Sequence, residues 1–236
     1  MDYLVIAECV LALAALLVAL LGGVTILQRR SDTAGKLMGW AALILFIGYA
    51  LYLVPKALAG LAGMETGFFL LAGRMAAAIA VTVFCVLLSL VWETLYEKKN
   101  SYYAEMLVRD LSGIRALGCV GPVILALVGV MDAESRFDPL AGVPFYYALI
   151  APGVRCLPLL IVAAVVAWHW HKTRDALPTL RSVWPALVGS AIFGVAADLG
   201  AVFIPALELL WIPQLACLLW IVLRFVRFAG ETGELH

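Results

Sequence analysis

The sequence predicts an all-α polytopic membrane protein, a single seven-transmembrane helix bundle over residues 1–236 with its N-terminus outside and its C-terminus cytoplasmic. Three observations predict it. Hydrophobic residues make up 65% of the chain and charged residues 14%, with a mean hydropathy of +1.04; soluble domains carry roughly 25% charged residues. Apolar segments of lipid-spanning length recur along the chain with short polar stretches between them. The lysines and arginines gather at alternate ends of those segments, the pattern that cytoplasmic loops show.

The first segment, residues 3–27, lacks the basic start and the short apolar run of a secretory leader, so it reads as a span. The second is 37–61, the third 68–92, the fourth 114–131, the fifth 144–170, the sixth 183–204 and the seventh 207–228. Between the third and fourth, the stretch from Glu93 to Arg115 mixes Tyr96, Tyr102, Tyr103, Met106, Leu107 and Leu111 with charges. That composition suits an amphipathic helix lying in the membrane interface. The cysteines Cys9, Cys85, Cys119, Cys156 and Cys217 fall inside apolar segments and read as reduced, packed residues. His169 and His171 stand two apart, on different faces of a helix, so neither metal nor cofactor is expected.

Of the 16 basic residues, 12 lie on one side: Arg29, Arg30, Lys36, Lys98, Lys99, Arg109, Arg115, Lys172, Arg174, Arg181, Arg224 and Arg227. That side reads as cytoplasmic, in a cell membrane and by expectation the bacterial inner membrane. Arg136 falls in a net-acidic external loop, Asp132 to Asp138. Lys56, Arg74 and Arg155 remain, within or at the edge of spans and all in the outer half. Arg155 lies near mid-depth between Pro152 and Pro158. A charge there costs roughly 2.5–3.5 kcal/mol on insertion scales, so it needs a carboxylate, a wet cavity or the bundle interior. Glu8, Asp198 and Glu208 supply carboxylates at comparable depth. Arg155 with Asp198 is the expected pair, and Arg74 is the reserve partner.

Spacing places polar and aromatic groups on shared faces. Tyr49, Tyr52 and Lys56 follow i, i+3, i+7 on the second span; Arg74, Thr82 and Ser89 recur on the third; Tyr147 and Arg155 are eight apart on the fifth; Glu208, Trp211 and Leu215 share a stripe on the seventh. Such stripes within a lipid-like sequence fit a cavity open to the outside. The candidate ligand-binding residues are therefore Tyr49, Tyr52, Lys56, Arg74, Tyr147, Arg155, Asp198, Glu208 and Trp211. For the tyrosines alone, an interfacial aromatic belt is the plainer reading.

Four stretches, GYALYLVPK (Gly48 to Lys56), GRMAAAIAVTVFCVLLSLVW (Gly73 to Trp92), VRCLP (Val154 to Pro158) and PALELLWIPQLACLLWIV (Pro205 to Val222), resemble segments of an uncharacterised family of bacterial seven-span membrane proteins. The resemblance covers most of the spans. It implies the seven-span bundle and places Lys56, Arg74, Arg155 and Pro158 where the family has a basic residue or proline. Tyr49 and Tyr52 stand where the family has aspartate and histidine, and Gln214 where it has lysine. The family has no assigned activity, so no reaction is implied.

Retinal chemistry needs a lysine amine in the last span, and Leu207 to Leu223 holds none. Nucleotide-binding glycine motifs, GxSxG and HExxH are absent as well. Three readings stand. The first is a receptor-like or sensor protein whose outer cavity binds a small anionic or zwitterionic molecule and which signals to a cytoplasmic protein partner. The second is a small-solute transporter built from repeats, on the likeness of GYALYLVPKAL to DLGAVFIPALEL. The third is an assembly protein whose charges only specify packing, or within that class an intramembrane enzyme using Asp198 or Glu208 as acid or base. The expected partners are the lipid bilayer, a ligand from outside and a cytoplasmic protein, with no nucleic acid.

Overall fold

The computed structural model describes residues 3–62, 67–97, 145–175 and 177–233, and between them 112–113, 116–118, 120–121, 123–125 and 127–128. Six long α-helices occupy these residues: α1 (Tyr3–Arg29), α2 (Thr33–Ala62), α3 (Gly67–Glu97), α4 (Phe145–Lys172), α5 (Val183–Phe203) and α6 (Trp211–Gly233). The described parts of the expected fourth span are helical; the rest of it, the external loop and most of the stretch after Glu97 lie outside the described residues. The expected interfacial stretch is corrected at its start, because α3 runs on to Glu97.

Apolar runs made these segments legible, and local chemistry sets where they turn. Asp32 closes the break between α1 and α2: its Oδ1 accepts from the Gly35 amide at 3.3 Å, an N-cap bond, while Arg30 donates to both its oxygens at 2.8 and 2.6 Å. Between α5 and α6 the chain leaves the helix at Ile204, then runs through a 3₁₀ segment, Pro205–Leu210, before α6 begins. Pro205 has no N–H to donate, and Pro213 sits in the first turn of α6, where a missing N–H costs nothing. The expected seventh span thus starts in 3₁₀ form and becomes α-helical only at Trp211.

Consecutive helices pack side by side, and α6 returns to α1, so α1 to α6 form a closed ring. Small residues let the backbones approach. Gly22 faces Val222 of α6 and Gly23 faces Gly39 and Leu43 of α2, so neighbouring glycines of α1 serve two different helices. Gly48 of α2 lies against Ala76, Ala77 and Ala80 of α3, and Gly73 of α3 lies against Leu51 and Tyr52 of α2. The buried hydroxyls of Thr82, Ser89 and Ser190 donate to carbonyls of their own helices at 3.0, 2.6 and 2.8 Å. These bonds satisfy them without a cross-helix partner.

Outward, the bundle shows Leu13, Leu17, Leu21, Ile47, Leu51, Ile161, Ile192 and Leu223, all exposed. Water does not tolerate apolar surface on that scale, and lipid does. Among the described residues, five stretches are long and apolar enough to cross a bilayer: Cys9–Arg29, Thr33–Leu58, Ala72–Tyr96, Pro178–Gly200 and Ala206–Glu231. A shorter apolar run, Cys156–Lys172, lies in α4. At the end carrying most basic residues, Trp92 stacks on Trp170 with ring centroids 4.4 Å apart and on Tyr96 at 5.0 Å. At the opposite end the interior is polar.

Candidate functional site

The site lies at the end of the bundle where α2 passes to α3 and α5 passes to α6. Its placement starts with backbone proximity. Pro55, inside α2, deprives the Leu51 carbonyl of its usual amide four residues on, and Gly73 brings the α3 backbone against that carbonyl and the Tyr52 Cα. Because α2 and α3 meet there with no side chain between them, Tyr52, Lys56 and Arg74 stand on adjoining turns of two helices.

Those three side chains converge on Glu208 of the 3₁₀ segment. Its Oε1 accepts from Arg74 Nη2 at 2.5 Å and from the Tyr52 hydroxyl at 3.2 Å, and Lys56 Nζ lies 3.6 Å from the same oxygen. The Lys56 ammonium also sits 5.3 Å from the Trp211 ring centre and 5.9 Å from that of Tyr52, inside cation–π range. Lys56, Arg74 and Glu208 keep 23, 26 and 37% of their side-chain surface exposed, whereas Tyr49 and Tyr52 are buried. The charged cluster therefore forms a mouth and the phenols line what lies behind it.

Behind the mouth is a cavity of about 60 Å³. Tyr49 and Tyr52 of α2 line it with Arg74, Ala77, Ala78 and Val81 of α3, Leu159 of α4, Gly194, Ala197 and Asp198 of α5, Glu208, and Trp211 and Gln214 of α6. A single water needs roughly 10–15 Å³ measured this way, so the cavity holds a few waters or a ligand of a few heavy atoms. Asp198 anchors its far wall and accepts from the Cys156 thiol at 3.6 Å. The site therefore has a cationic mouth and a carboxylate within.

Of the residues expected from sequence, Tyr49, Tyr52, Arg74, Asp198, Glu208 and Trp211 share this cavity, and Lys56 joins them through Glu208. The side chains of Tyr147, Arg155 and Glu8 lie outside the described residues. Arg74, the reserve partner, is the arginine found in an ion pair at the mouth, and its carboxylate is Glu208. The polar stripe on α3 does not extend to Thr82 and Ser89, which bond to their own helix; Ala77, Ala78 and Val81 form that wall instead.

Gln214 was absent from the expected set. It lies six residues after Glu208, in the first turn of α6, and Gly194 of α5 leaves the room its amide occupies. A polar residue after Pro213 in an apolar run was the available signal. Among the described residues, no group of three His, Cys, Asp or Glu side chains is placed to hold a metal ion, and Cys9, Cys85, Cys156 and Cys217 form no disulfide.

Apolar spans, an apolar outer surface and a polar pocket inside the ring define a multi-pass helical membrane protein. No protein-family model, curated protein or solved structure shows a significant match to this chain.

Proposed function

We propose that the cavity binds a small anionic or zwitterionic molecule entering from outside, and that the protein acts as a receptor-like or sensor bundle in the cell membrane. The observation that carries this reading is the convergence of Tyr52, Lys56 and Arg74 on one carboxylate oxygen, at the mouth of a cavity that reaches Asp198. Two cations face one carboxylate there, which leaves the mouth attractive to an anion. Asp198 gives a zwitterion's amine a partner deeper in.

The same reading carries seven spans with the N-terminus outside. Its support is the gathering of basic residues at the end opposite the cavity, with Lys172 over the Trp168 ring at 4.8 Å and Arg224 over the Trp220 ring at 4.6 Å. Exposed tryptophans beside cations suit the headgroup level of a cytoplasmic leaflet.

A thermal-shift panel of small acids and zwitterions on the full-length protein in detergent tests the reading. Lys56→Gln should leave the melting temperature of the ligand-free protein nearly unchanged, since a lysine near the interface reaches water at little cost. It should abolish the ligand-induced shift, because stabilisation tracks affinity. A panel without any shift on the unmutated protein sinks the proposal. Uptake of a binding ligand into proteoliposomes assigns transport in place of sensing.

A further inference from the structure

We infer, resting on the reading just given, that Glu208 is a built-in surrogate for the ligand. The ligand is a short-chain monocarboxylate that takes over the three donors and releases the segment 205–210 as it binds.

The geometry of the three contacts is that of an anion cradle. A phenol, a guanidinium and an ammonium from two helices all address a single oxygen of Glu208. Charge-assisted donors arranged in this way recognise a carboxylate oxygen whichever molecule carries it. The donors stand on two long helices packed against each other, α2 and α3. The acceptor stands on six residues of 3₁₀ helix, held by turns such as Leu207 N to Ile204 O at 2.9 Å. With more than a third of its side chain already exposed, Glu208 is the partner that can swing into water.

Size and charge then narrow the class. At about 60 Å³ the cavity is smaller than the engineered ~150 Å³ cavity that takes up benzene. Departure of Glu208 vacates an additional volume equal to its own side chain beyond Cα, which is that of propionate. A carboxylate of two to four carbons fits the space so created. One carboxylate replaces one, so the charge at the mouth is unchanged.

An intramolecular competitor taxes affinity: the apparent Kd rises by the ratio of latched to open protein. In binding titrations of the full-length protein in detergent, Glu208→Gln should bind propionate about tenfold or more tighter than the unmutated chain, while the neutral isostere propionamide binds neither. Hydrogen–deuterium exchange on the unmutated protein gives a second, mutation-free measure. Propionate should speed exchange of the amides in 206–210, the reverse of the protection an ordinary ligand gives. Tighter binding with faster exchange supports the surrogate role, and so does binding by Glu208→Gln alone.

Weaker binding by Glu208→Gln than by the unmutated protein overturns it and leaves the cavity reading standing, with Glu208 then a direct ligand contact. Binding of other anions or zwitterions but not propionate has the same effect. If Glu208→Gln does not fold, unchanged or slowed exchange in 206–210 on propionate binding overturns the inference. No binding of any anion or zwitterion to either protein removes the cavity reading as well.

Discussion

Gly73 rests against the carbonyl of Leu51, the carbonyl that Pro55 leaves without its helical donor. A proline within a membrane helix normally exposes backbone that neighbouring elements must cover. Here the cover is the backbone of α3, and the contact fixes the distance between the two helices that carry the mouth. A methyl at this glycine would strike the Leu51 carbonyl and the Tyr52 Cα, and neither can rotate away.

Gly73→Ala is therefore expected to push α3 from α2, at a cost of about 1–3 kcal/mol from overpacking. In detergent the melting temperature should drop by roughly 2–4 °C for each kcal/mol. Gly194→Ala makes the control. Its added methyl meets the flexible end of Gln214, which can move, so the drop should be smaller. Equal and negligible effects from both would mean that the α2–α3 contact does not set the site.

The ion pair at the mouth invites a double-mutant cycle. Arg74→Ala, Glu208→Ala and the double variant should show a coupling of about 1 kcal/mol, modest because both side chains are partly in water. Lys56 lies farther from the same oxygen, at 3.6 Å, and its coupling to Glu208 should be smaller still. Strictly additive melting temperatures would count against a pair that persists in solution.

Asp198 offers a different test. Its described neighbour is the Cys156 thiol, a weak donor at 3.6 Å. Cys156→Ser supplies a stronger donor and should be tolerated, whereas Cys156→Ala should cost about 1 kcal/mol. Arg155→Ala should destabilise further, with partial rescue by Asp198→Ala if the pairing expected from sequence holds. Strict additivity of those two changes would count against contact between Arg155 and Asp198.

Topology can be checked by labelling. A tag at the N-terminus should react from outside in intact cells or spheroplasts, and one at Glu234 only after the membrane is breached. Reaction of both ends from the same side would remove the seven-span reading.

Much of the fold could be read from the chain because lipid imposes a simple rule: a helix must be long and apolar, and its ends are marked by charges and prolines. The six described helices fall on six of the expected segments. Where the helices stop was less legible. The continuation of α3 to Glu97 and the 3₁₀ start after Pro205 depend on local backbone bonding rather than on hydropathy.

Six of the residues singled out from sequence line one cavity, but their pairing could not be read from the chain. Helical spacing could place Tyr52 and Lys56 on one stripe, yet Arg74 and Glu208 are 134 residues apart and meet through the rotation of each helix within the ring. That rotation is set by contacts such as Gly48 on Ala80 and Gly22 on Val222, which periodicity does not encode. Gln214 went unnoticed for a related reason: the space it fills is made by a glycine on another helix.

The closed ring also sets an order of events during synthesis. Arg74 enters the membrane with α3, but its carboxylate is made 134 residues later. At translation rates of about 5–20 residues per second the arginine waits on the order of 7–27 seconds. Through that interval it must draw on water or lipid headgroups, which a position close to the helix end permits and mid-membrane depth would not. Arrival of the last helix then does two things together, sealing α1 through Gly22 and bringing the carboxylate that the third helix's arginine has lacked.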